Sequence, residues 1–354
     1  MLRIFIRLST ALLVACATFC LVSCNGEKKD VKNVEQSEDV VSEAVGEEFT
    51  EDVTGESDNN VLYYKDGKFV VYNVSDGTTK EYNFENGEIL NYALKPQSTL
   101  LYYYICDNGN AVLKSVDLAE TKPEPIIVVD FGLKCEDCHD NIWGAGYSTL
   151  FVKDDASAIG IMHEPNWECF GFCKCKVYYP ETGKMNEVDE PYSIFSENPN
   201  FNRENFVTET EGMPKFYYVG NDAKICISDK IDMSFAEGDE DYLEFSACSL
   251  SPDGKKVLYS AGLSLGDAVS GPYCVASLNG KYQMALENAD ILECKAIEWL
   301  SDGSLVYTTI EQRPETDPEY SEDNTTRPCI RILRPESNES QVLVNDVNYF
   351  CTIK

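Results

Sequence analysis

Ser251-Pro252-Asp253-Gly254 stands between two short apolar runs, and this arrangement constrains the fold most. Proline presets φ at the turn and glycine accepts a positive φ, so the chain reverses within a few residues. Leu243–Leu250 and Lys256–Ser260 are then read as antiparallel neighbours. A loop leads to a third strand, Tyr273–Leu278. Asn279-Gly280 is a strong hairpin signal, and Lys281–Leu286 makes a fourth strand.

Four consecutive antiparallel strands form one blade of a propeller. The pattern returns over residues 294–345, with strands Cys294–Leu300, Ser304–Ile310, Cys329–Leu333 and Gln341–Val344 around the turn Ser301-Asp302-Gly303. Weaker copies cover residues 91–130 and 148–189, and the poorest covers residues 205–235. A period of roughly 40 to 60 residues fits blade-type repeats. The first unit supplies only three strands: Val61–Tyr64, Lys68–Val74 and Thr79–Phe84. Val347–Ile353 is left over at the far end. The expected fold is therefore an all-β propeller of six four-stranded blades, its ring closed by the C-terminal strand in the first blade. A pair of β-sandwiches has the same strand spacing and stays open.

Ser251-Pro252-Asp253-Gly254-Lys255-Lys256-Val257-Leu258-Tyr259-Ser260 closely resembles the TolB-type and WD-like β-propeller repeat. Trp299-Leu300-Ser301-Asp302-Gly303-Ser304-Leu305-Val306-Tyr307 is a second good match. The resemblance implies a toroidal fold and no single activity, because propellers host binding, scaffolding and catalysis alike.

The N-terminus reads separately. Arg3 and Arg7 precede an apolar run from Ala11 to Val22, too short to span a bilayer comfortably, with the anatomy of a secretory signal. Leu21-Val22-Ser23-Cys24 resembles a bacterial lipobox, in which cleavage falls just before a cysteine that carries lipid such as palmitate. The resemblance implies a signal peptide over residues 1–23, lipidation of Cys24, and anchoring in the bacterial cell envelope, on the periplasmic side or the outer-membrane surface.

Residues 24–59 read as an acidic, disordered tether. Twelve acids face Lys28, Lys29 and Lys32, and Phe49 is the one aromatic residue. Too little apolar surface is available there to offset the entropy of ordering. The propeller domain then covers residues 60–354. With a formal net charge of −32 the chain repels phosphate backbones, so nucleic acid is excluded as a partner, and acyl chains rather than surface charge must hold the membrane.

Twelve cysteines follow Cys24, an even number that favours disulfides in an exported domain. Spacing does not fix the pairing; Cys135 and Cys138 share a loop, which allows them to pair with each other or with the group Cys169, Cys173 and Cys175. Cys135-Glu136-Asp137-Cys138-His139 also has the form of a c-type haem attachment site, in which two thiols take the vinyl groups and the imidazole binds iron. The chain's two histidines, His139 and His163, would lie with Cys135, Cys138 and Cys169 on one face of the ring, where reduced thiols could hold zinc.

The acidic loops Glu237–Asp241 and Glu315–Asp323 offer oxygen donors for calcium without the spacing of a defined calcium loop. No serine-hydrolase elbow, phosphate loop or dinucleotide fingerprint occurs. No cofactor is expected on the main reading. That reading is a noncatalytic binding or scaffolding module taking a protein, peptide or glycan on loops Gly132–Ile142, Glu164–Gly171 and Arg313–Arg327, with Trp167, His139 and His163 as contact residues. The rival is a redox or metal-dependent protein using Cys135, Cys138 and His139.

Overall fold

The computed structural model describes residues 59–84, 89–138, 150–153, 155–166, 171–188, 203–220, 223–265, 268–291, 293–322, 324–335, 337 and 339–353. Cys24 and the acidic stretch after it lie outside the described residues. The described secondary structure is strands with a few 3-10 turns. Among the described residues no helix is long and apolar enough to cross a membrane.

Among the described residues, twenty-four strands build six antiparallel sheets. The first holds β1 (Asn60–Lys65), β2 (Lys68–Asn73) and β3 (Thr79–Tyr82), with β24 (Cys351–Ile353) added beside β1. The second is β4 (Ile89–Leu94), β5 (Leu100–Asp107), β6 (Asn110–Asp117) and β7 (Ile126–Lys134). The third is β8 (Leu150–Val152), β9 (Ile159–Asn166), β10 (Gly171–Tyr179) and β11 (Lys184–Val188). The fourth has three strands, β12 (Phe206–Glu209), β13 (Lys215–Gly220) and β14 (Ala223–Cys226). The fifth is β15 (Leu243–Leu250), β16 (Lys256–Leu265), β18 (Pro272–Ser277) and β19 (Gln283–Asp290), with β17 (Ala268–Ser270) folded back onto β16. The sixth is β20 (Ile297–Trp299), β21 (Leu305–Gln312), β22 (Thr326–Arg334) and β23 (Glu339–Asn345).

The turn chemistry read from the sequence operates as side-chain hydrogen bonding. Ser251 Oγ donates to Asp253 Oδ1 at 2.7 Å and accepts from Lys256 N, while Asp253 Oδ1 accepts from Lys255 N at 3.1 Å. Ser277 and Asn279 repeat this arrangement around Gly280, at 2.7 Å between the side chains and 3.0 Å from Lys281 N. Gly254 and Gly280 both take positive φ, 65° and 71°, which closes each turn.

Strand alternation gives the sheets apolar faces, and five pairs of neighbouring sheets share them. Leu62 and Phe69 of the first sheet pack with Leu101 and Tyr103 of the second. Tyr104 and Leu113 of the second pack with Leu150 and Ile161 of the third. Phe216 of the fourth meets Tyr259 of the fifth, and Val275 of the fifth meets Tyr307 of the sixth. The sixth returns to the first through Val306, Ile330, Val61 and Val70. The chain between the third and fourth sheets, residues 189–202, lies outside the described residues.

Polar ties follow the same joints. Tyr259 Oη donates to Ile227 O at 2.9 Å, Trp299 Nε1 to Ser249 Oγ at 3.1 Å, and Tyr92 Oη to Tyr349 O at 2.8 Å. A buried hydroxyl or indole that reaches across a joint both satisfies itself and fixes the spacing of two sheets.

Several boundaries differ from the sequence reading, four of them in ways that matter to the sheets. The fourth unit has three described strands, not four. The second strand of the fifth unit runs on to Leu265, because Leu243 and Phe245 still pair with Leu263 and Ala261. The fourth strand there starts at Gln283 and continues to Asp290. The C-terminal strand begins at Cys351, not Val347. Asp346 takes φ 59°, and its N–H and that of Val347 both donate to Pro328 O, turning the chain before it can pair.

Candidate functional site

The cysteine-histidine segment begins where β7 ends. A 3-10 turn covers Cys135–Asp137, and Cys138 N donates to Cys135 O at 3.0 Å. Tyr104 Oη donates to Cys138 O at 2.8 Å, which pins the turn against the second sheet and buries Cys138. Cys135 forms a disulfide with Cys106, with Cα atoms 5.7 Å apart. Cys106 sits at the exposed end of β5, two strands away from β7 in the same sheet. This corrects the expected pairing of Cys135 with Cys138 or with Cys169, Cys173 or Cys175. The two-thiol haem attachment read from this segment would use the Cys135 sulfur that pairs here with Cys106.

His139, Trp167 and Cys169 lie outside the described residues. His163, expected as a contact residue, lies in strand β9 and is only 1% exposed. Its Nε2 is 3.4 Å from Glu187 Oε2, and Lys174 Nζ is 3.5 Å from Glu187 Oε1. Glu187 thus joins a buried imidazole to a half-exposed ammonium across three neighbouring strands.

Burial governs the other thiols. It pushes Cys175, Cys274 and Cys351 up to about 12 and Cys294 to about 11. A thiol held that high stays protonated at neutral pH and is a poor nucleophile or metal ligand. These residues pack as small apolar groups.

The Arg313–Arg327 connection is not the open carboxylate loop that its composition suggests. Arg313, 5% exposed at its side chain, donates to Asp317 at 3.1 Å, Glu319 at 3.1 Å and Asp346 at 2.6 Å. Arg327 reaches the other oxygen of Asp317 at 3.0 Å. The Glu319 backbone N–H and then these arginines hold the Asp317 carboxyl below the usual range. Within this loop Asp317 and Glu319 are engaged by guanidinium groups. A second set lies further along β22, where Arg331 pairs with Glu311 and, at 2.7 Å, with Glu287 of β19. This arginine joins the fifth sheet to the sixth.

Beside Glu287 the fifth sheet opens into a cleft of about 290 Å³, lined by Phe235, Ser270, Gly271, Pro272, Leu286, Asn288, Ala289 and Asp290. Gly271 is required there: at φ 138° an added Cβ would lie 2.2 Å from Ala261 O. Its N–H donates to Asp290 Oδ2 at 2.9 Å, and its carbonyl accepts from Ile291 N. Asn288, exposed at the lip, takes φ 52°, an uncommon conformation for a residue with a Cβ. The sequence reading missed this cleft. Gly271-Pro272 was its one local signal, and the lining comes from three separate segments.

No protein-family model matches the chain, and no curated protein does. Among solved structures it is similar to TolB from Acinetobacter baumannii, at 13% identity and TM-score 0.42 over 84% of this chain and 66% of that one. A nidogen/laminin complex gives 9% identity and TM-score 0.35, over 80% of this chain and 92% of that one. The tricorn protease gives 10% identity and TM-score 0.31, with 83% of this chain covered and 30% of that chain. The chain therefore spans about two thirds of the TolB chain and under a third of the tricorn protease. At such identities and scores none of these likenesses assigns it a ligand or an activity.

Proposed function

We propose that the chain is a lipid-anchored protein of the bacterial envelope whose sheet domain is a noncatalytic binding or scaffolding module. The six sheets are the blades of one propeller, and β24 beside β1 closes its ring. The shared apolar cluster of the sixth and first sheets supports that closure. Lipid on Cys24 holds the domain at the membrane, and the acidic tether gives it reach. A rigid set of sheets then presents its connections to a protein, peptide or glycan.

The disulfide between Cys106 and Cys135 carries the choice of this reading over the redox or metal rival. It turns the most chemistry-like motif of the sequence into a brace. Absorption and membrane fractionation of the full chain, made in a host competent for export and haem attachment, test it. The proposal expects a membrane-bound, colourless protein that becomes soluble when Cys24→Ala removes the lipid site. A Soret band, or zinc retained through purification with free thiols at Cys106 and Cys135, would replace it with the rival.

A further inference from the structure

We infer that the cleft in the fifth sheet is a docking site for a lysine- or arginine-bearing segment of a partner protein. This deepens the binding reading above and rests on it.

The first observation is apolar. Phe235 is 39% exposed at the cleft wall, and Val269, on the strand leading into it, is 40% exposed. Pro272, Leu286 and Ala289 line the interior. A volume of about 290 Å³ is at the lower limit of pockets that enclose a small molecule. It suits one inserted side chain of a larger partner. The aliphatic stem of lysine or arginine fits such a wall, and a guanidinium over Phe235 gains a cation–π contact.

The second observation is charge. Asp290 lines the cleft, with Oδ2 accepting from the Gly271 N–H; neighbouring Glu287 is engaged by Arg331 and adds no free charge. The connection that supplies Phe235, residues 227–242, carries Asp229, Asp232, Glu237, Asp239, Glu240 and Asp241 against the single base Lys230. Lys230 Nζ is turned to the carbonyls of Gly280 and Lys281, at 3.2 and 2.9 Å. The exposed members of this connection therefore set a negative field around an apolar slot. Clustered carboxylates act over about a Debye length, so they attract a cationic segment before the slot orients it. A neutral glycan would match the wall without using the field, and nucleic acid or another acidic surface would be repelled.

Binding of a fluorescein-labelled tetra-arginine amide to the full chain, read by anisotropy at two salt concentrations, tests this. Ser270 is exposed at the cleft, so Ser270→Trp fills it with little cost to folding. The expected result is saturable binding, weakened about tenfold or more by Ser270→Trp and by Phe235→Ala. It should be unchanged by Glu120→Gln/Glu124→Gln, a remote pair removed from an equally exposed acidic segment. Equal weakening by the remote pair, or indifference to Ser270→Trp, would overturn the cleft as the site. A neutral chito-oligosaccharide that binds in place of the peptide and is blocked by Ser270→Trp would overturn the basic partner while keeping the binding module. If neither probe binds the cleft, the inference fails, and the anchoring and absorption tests above still judge the wider reading.

Discussion

Thr352, in the last strand, pairs with Val61 in the first, and its hydroxyl donates to Glu298 in the sixth sheet. One residue near the C-terminus thereby ties the two ends of the domain together. Ser301 Oγ donates to Asn59 Oδ1 at 2.6 Å, and Lys65 Nζ to Asn345 O at 2.8 Å, so the same joint is held at three places.

Deleting residues 351–354 removes a paired strand and uncovers Leu62, which is fully buried. Loss of the Cys351 and Ile353 side chains alone removes about 3 kcal/mol of apolar burial. The truncated protein should melt well below the full chain, as followed by far-ultraviolet circular dichroism. An unchanged melting temperature would mean that the ends do not lock the domain.

Arg331 is 9% exposed and pairs with Glu311, itself 17% exposed. Removing one member of such a pair strands the other charge in a poorly solvated place. Arg331→Ala should cost about 3 kcal/mol in urea unfolding. Replacing both, as Arg331→Met with Glu311→Leu, should restore most of that loss, because neither charge is then desolvated.

The Ser251 hydroxyl first, and the Lys255 N–H second, hold the Asp253 carboxyl down at about 2. A depressed carboxylate stabilises the fold above its unfolded value of 3.8, and that contribution is lost as pH falls through about 2. Asp253→Asn keeps an acceptor, as Asn279 does in the next turn, but loses the charge, so it should be slightly less stable than the wild type at neutral pH. The same variant should flatten the acid limb of the melting curve between pH 4 and 2. Asp253→Ala removes the acceptor and should destabilise at every pH.

How far the sequence discloses this molecule depends on the range of the interaction concerned. Ser251, Asp253, Asn279 and Gly280 act within a few residues, so their turns and the flanking strands are legible directly. The strand Val347–Ile353 is legible as a leftover, but its true start depends on Asp346 and Pro328, which meet only after folding. The Cys106–Cys135 bond joins the end of β5 to the turn after β7, residues 29 apart, so spacing alone could not choose it. Arg313 and Asp317 stand four apart and could have signalled that part of the acidic loop is paired. The connection expected over Glu164–Gly171 is shorter than its composition suggests, because β9 continues through Asn166 and β10 starts at Gly171. The cleft at Phe235 depends on three segments meeting, which no local pattern records.

The disulfide closes 29 residues of chain, and its loss should cost about 3 kcal/mol by the entropy it removes from the unfolded state. Cys106→Ser should therefore lower stability without altering the absorption spectrum. Native alkylation at pH 8 should leave Cys175, Cys274 and Cys351 unlabelled, because burial keeps them as thiols.

The most direct test of the account is an intact mass, taken denatured and without reductant, of the full chain after export, followed by peptide mapping. The account predicts a chain beginning at an acylated Cys24, no haem mass, and a crosslinked peptide pair containing Cys106 and Cys135. A mass raised by one haem, with Cys135 and Cys138 in the modified peptide, would contradict it.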